Sequence, residues 1–108
     1  MTFQQLAQTF EQGASGTDQF KALYKGAFQL MKTDPANAAL YFVIGVAAHS
    51  YVTRYEDQGV EPASADRAKS RLEGYNRRLV AALAGDADQR LEAASLVAAD
   101  YQWDVHDF

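Results

Sequence analysis

The sequence predicts an all-α protein: a single-domain bundle of about five helices, mostly antiparallel, with a central apolar third helix. Three observations predict it. Apolar residues recur at helical spacing in five segments. A capping residue, a glycine or a proline bounds each segment. No stretch alternates apolar and polar residues with β-branched enrichment, so no strand is expected. A chain of 108 residues has the usual size of one domain, and residues 1–108 are expected to share one core.

The first helix starts after Thr2, a good N-cap, and runs to about Gln12. Phe3, Leu6, Ala7 and Phe10 mark its inner face. Gly13 to Gly16 form a joint, and Thr17 is expected to cap the second helix. Phe20, Leu23, Tyr24, Ala27, Phe28 and Met31 form the stripe of that helix. Asp34-Pro35 reads as an N-cap followed by proline at the first helical position, where its missing N–H costs nothing. The third helix is expected to run to about Gln58 and to end at Gly59. Its first half, Ala38 to Ala48, is apolar on every side, which places it among several neighbours. A fourth helix follows from about Pro62 or Ala63 to Ala84, with Leu72, Tyr75, Leu79, Ala82 and Leu83 inward. Asp86 and Gln89 make a capping box for the fifth. Leu91, Ala94, Leu96, Val97 and Ala98 are expected to face inward, and the helix to fade near Tyr101. Residues 102–108 read as a tail of aromatics and acids.

Composition excludes several chemistries. With no cysteine, the chain has no disulfide, thiolate metal site or cysteine nucleophile. Met1 to Phe10 carries no Lys or Arg and no long apolar run, which is unlike a secretory signal. Ala38 to Ala48 is too short to span a membrane, which takes about 18 apolar residues. A cytoplasmic protein with no membrane partner is expected. The net charge of -4 is uneven: residues 86–108 hold six acids against one base, Arg90. An end of that sign repels nucleic acid and attracts basic partners.

No residue set resembles an active site. His49 has Val52 and Thr53 at i+3 and i+4, where a catalytic or metal-binding histidine would want a carboxylate. It reads as a core or boundary histidine. His106 sits among acids in the tail, without fixed geometry. There is no Glu-x-x-His pair and no Gly-Lys-Ser/Thr phosphate loop. No catalytic residue, cofactor or metal is therefore expected, and an enzyme centred on His49 ranks last. Arg67, Lys69, Arg71, Arg77 and Arg78 form the one basic run, with Arg67, Arg71 and Arg78 broadly on one helix face. Asp66 and Glu73 dilute it, so nucleic acid is not the expected partner.

Asp34, Pro35, Asn37, Ala38, Tyr41, Ile44, Gly45 and, after an offset, Tyr55-Glu56-Asp57 resemble the start of a tetratricopeptide repeat. The resemblance implies a helical hairpin holding a peptide in a groove. The chain departs from the pattern in lacking a turn glycine near Val52 to Arg54 and a second copy about 34 residues away. No functional residue is carried over from it.

The aromatic residues carry the functional expectation. Tyr101, Trp103 and Phe108 lie among Asp100, Asp104 and Asp107, the composition of a hot spot aimed at a basic protein. Tyr51 and Tyr55 share a helix face and would add to it, or would line a peptide groove together with Tyr41. The expected function is masking of a basic partner, most concretely by an immunity protein or antitoxin. The alternative is a helical adaptor or chaperone, and a homodimer is compatible with either.

Overall fold

The computed structural model describes residues 1–108, except for the side chain of Asp107. Five α-helices account for nearly all of it: α1 (Phe3–Gln12), α2 (Thr17–Thr33), α3 (Ala38–Tyr55), α4 (Pro62–Leu83) and α5 (Ala87–Asp104). Single 3-10 turns, Pro35–Asn37 and Val105–Asp107, precede α3 and follow α5. None of the helices is long and apolar enough to cross a membrane.

Local chemistry sets most boundaries. Thr2 accepts from the Gln5 N–H at 3.2 Å, and the Gln5 side chain accepts from the Thr2 N–H at 2.9 Å. Asp86 and Gln89 repeat this reciprocal box at the start of α5. Elsewhere the structure corrects the expected caps. Thr17 is the first residue of α2, and Gly16 caps it without a side-chain bond. Helix α3 stops at Tyr55 rather than near Gln58. Extended backbone at Glu56 breaks it, and Asp57 then takes the left-handed conformation (φ 63°) expected of Gly59. Aspartate tolerates that region better than most residues.

The hairpins α1–α2, α2–α3 and α4–α5 are antiparallel. Phe10 meets Phe20 edge-on at 5.2 Å, and Phe20 stacks on Tyr51 at 3.9 Å. Two close approaches need glycine: a Cβ at Gly26 would run into Leu6, and one at Gly45 into the Phe28 ring. Helix α3 also packs on α4, and it runs parallel to α5. Arg90 reaches Asn37 near the two N-termini, and Tyr101 donates to Ser50 near the two C-termini. This parallel pair is the exception to the antiparallel rule.

All helices contribute to one core. Helix α3 supplies Leu40, Tyr41, Ile44, Ala47, Ala48, Tyr51 and Val52. Its remaining strip, with Ala39, Phe42, His49 and Thr53, is exposed. Asn76 lies on the buried face of α4, 2% exposed, and its amide finds no partner among the described residues. A buried unpaired amide costs about 1–3 kcal/mol.

Residues 34–57 do not form the hairpin implied by the tetratricopeptide resemblance. With no glycine to turn the chain, α3 runs unbroken to Tyr55, so Tyr55-Glu56-Asp57 ends a helix instead of opening one. The expected tail is also corrected. Helix α5 continues through Asp104, and the chain folds back so that Phe108 is 2% exposed against Tyr75 and Tyr101. Arg54 fixes the return by donating to the carbonyl oxygens of His106 and Phe108.

Candidate functional site

The expected acid-aromatic hot spot does not form as one surface. Phe108 is core, because its ring fills the gap between Tyr75 and Tyr101. Tyr101 is half-buried and donates to Ser50 at 2.8 Å. Asp104 turns inward and accepts from the Tyr75 hydroxyl at 2.7 Å, with Arg71 at 3.7 Å. Burial, and then this bond, push the Tyr75 phenol well above its ordinary range. Asp100 is exposed but pairs with Arg78. The side chain of Asp107 lies outside the described residues. Among the described members of this set only Trp103 stands clear of the bundle, 82% exposed.

The tyrosines of α3 are corrected as well. Tyr51 is 1% exposed, stacked on Phe20 and in contact with the Tyr55 ring. Tyr41 is equally buried. Tyr55 is half-buried, with the Arg54 guanidinium over its ring. The three share no groove: Tyr41 borders one cavity, and Tyr51 and Tyr55 a separate one of about 200 Å³.

The basic run of α4 divides between two neighbours. Lys69 and Arg77 turn toward α1, where they meet Glu11 and also pair with Glu73. Arg71 and Arg78 turn toward α5 and its aspartates. With Arg67 they line an α4–α5 groove of about 430 Å³, whose charge Asp100 and Asp104 offset. A phosphate would compete with those carboxylates, so the groove is poorly suited to nucleic acid.

Sequence reasoning missed the outer face of α5. Leu91 and Leu96, expected inward, are 68% and 49% exposed, and Ala98 is also outside. Only Ala94 and Val97 of this helix are fully buried. Leu96, Ala99 and Trp103 share one stripe at i, i+3, i+7. Asp88 and Glu92, one turn apart and exposed, flank Leu91 and have no ion pair among the described residues. The helix's single base, Arg90, is engaged by Asp86 and Asn37. A legible signal existed: apolar residues occupy both sides of the α5 wheel, more than one buried stripe requires.

Also missed was the corner before α3. Asp34 does not cap backbone N–H groups with its side chain. Its Oδ2 accepts from the Tyr41 hydroxyl at 2.6 Å and from the Asn37 amide at 2.9 Å. These bonds, Asn37's first, hold the carboxyl below its ordinary range, and the charge of Arg90 adds to them. Burial and the same carboxylate push the Tyr41 phenol up to about 12. The corner opens into a cavity of about 550 Å³.

His49 is exposed, not core, and meets the edge of Tyr24 at 4.9 Å. Among the described residues no cluster of three metal-binding side chains exists. Comparison with models of protein families, with curated proteins and with solved structures finds no match to this chain.

Proposed function

We propose that this chain is a cytoplasmic binding protein, not an enzyme, that docks a basic partner on the outer face of α5. The observation that carries the reading is a set of exposed apolar side chains on the outer side of α5. Leu96 and Trp103 share one stripe, and Leu91 lies on the other edge, about 140° around the helix, with Asp88 and Glu92, in no ion pair among the described residues, between them. Helices packed on one side normally put polar residues on the other. Exposed aromatic and aliphatic anchors with flanking charge are the composition of protein interfaces. The acids specify the partner's sign: lysine or arginine beside apolar side chains. Masking of a toxic effector, as by an immunity protein or antitoxin, is the concrete form of this reading.

The test compares two baits in native cells at low salt: the wild-type chain and a Leu91→Ser, Leu96→Ser, Trp103→Ala variant. The expected result is a stoichiometric basic partner on the first bait, absent from the second and released as salt rises. Equal recovery by both baits, or a stable dimer of the chain alone held through these residues, would overturn the reading.

A further inference from the structure

We propose that the cavity beside Asp34 is a binding site for a small molecule carrying one primary ammonium on an apolar body. The cavity forms where the start of α1, the end of α2, the start of α3 and the end of α4 meet. Its volume of about 550 Å³ is that of an ordinary small-molecule site. The side chains of Met1, Leu30, Val80 and Leu83 give it apolar patches between the polar Thr2, Gln4, Thr33 and Asn37, and Asp34 is the one acidic or basic side chain among the described residues lining it.

The carboxylate is oriented and half used. Tyr41 and Asn37 both donate to Oδ2, and Oδ1 accepts from no described residue. Tyr41 is core, so its hydroxyl fixes the carboxylate against a rigid wall. No ion pair to Asp34 exists among the described residues. Arg90, whose charge is felt at Asp34, donates to Asn37 Oδ1 and Asp86 O instead. The corner is thus an anion in no ion pair, beside apolar side chains, with the charge of Arg90 acting on it from outside the cavity. A carboxylate or phosphate would be repelled there, and a neutral ligand would make no charge-assisted bond. An ammonium directed at Oδ1 makes a charge-assisted bond while its apolar body covers Leu30, Val80 and Leu83.

This site shares no residue with the outer face of α5, so the two proposals stand or fall separately. The test titrates phenethylammonium into the 15N-labelled full chain, with 2-phenylethanol as the neutral control. Saturable shifts are expected at the Asn37 side-chain amide and around Leu30 and Val80. The alcohol should bind roughly tenfold or more weakly, as should the ammonium to Asp34→Asn. Since Asp34→Asn also loosens the corner, Val80→Phe provides a second variant: it fills the cavity, keeps the carboxylate and should abolish the shifts. If Asp34→Asn does not fold, Val80→Phe decides alone. Equal binding of the alcohol, undiminished binding to Val80→Phe, or shifts spread over surface carboxylates without saturation would overturn the proposal.

Discussion

Helices α3 and α5 run side by side and parallel, and both are apolar around much of their circumference. They differ in what covers them. Helix α3 has α2, α4 and α5 as neighbours, and its aromatic and aliphatic side chains are mostly core. Helix α5 has α3 and α4 on one side and nothing on the other, yet that other side carries Leu91, Leu96 and Trp103. For α3, folding explains nearly all the apolarity, with Phe42, 52% exposed, the one large exception. For α5, folding explains only Ala94, Val97 and the half-buried residues beside them, and the outer side chains are the ones the proposed partner would cover.

The two helices should therefore respond oppositely to truncation. Tyr51→Ala removes a ring stacked on Phe20 at the centre of the core and should cost about 3–5 kcal/mol in urea unfolding. Leu91→Ser, Leu96→Ser and Trp103→Ala should each change stability by less than about 0.5 kcal/mol, as exposed positions do. A large loss at Leu91 or Trp103 would show that the outer side chains serve the fold, and the contrast with α3 would collapse.

A smaller effect is expected at the corner that starts α3. Tyr41→Phe removes a buried bond to a carboxylate and should cost about 1.5–3 kcal/mol. It should also change the pH profile. The folded-state phenol is raised to about 12 from an ordinary 10.0, so its contribution is complete below pH 10 and is lost as pH rises toward 12. Asp34 is depressed, so its contribution is present above the ordinary carboxylate range and is lost as pH falls through the folded value. Thermal melts across pH should show both slopes in the wild type and no Tyr41 slope in the variant.

Two glycines sharpen the comparison between a covered helix and an open one. Gly45 of α3 faces the Phe28 ring, and Gly45→Ala should destabilise in spite of alanine's better helix propensity. Gly74 of α4 has nothing within 4 Å of its would-be Cβ, and Gly74→Ala should stabilise by about 1 kcal/mol. The smallest effect belongs to the Arg78–Asp100 pair: Arg78→Ala should cost under about 1 kcal/mol, less at high salt.

Helix number, class and most boundaries were legible because caps and periodicity are local. Thr2 and Asp86 act through residues three positions away, and a single sequence displays them. What was not legible depends on neighbours. Periodicity cannot say which side of α5 is covered when both sides are apolar, so Leu91 and Leu96 were placed inward. Nor does a mixed aromatic and acidic segment show whether it returns to the bundle, as Phe108 does under the hold of Arg54. The Asp34 corner reads as a backbone cap because the sequence offers its true partner, Tyr41, only as a groove residue. The expected hot spot lost Asp104 for a similar reason: Tyr75 lies on another helix, and no local pattern links the two.

The most direct test of the proposed α5 interface uses the chain's only tryptophan, Trp103. Its fluorescence quenching by acrylamide should be measured in the free protein and in the purified complex. Trp103 should be quenched freely in the isolated chain, where it is 82% exposed, and strongly protected in the complex. Protection already present in the free chain, or equal quenching in both, would contradict the assignment of α5's outer face as the docking surface.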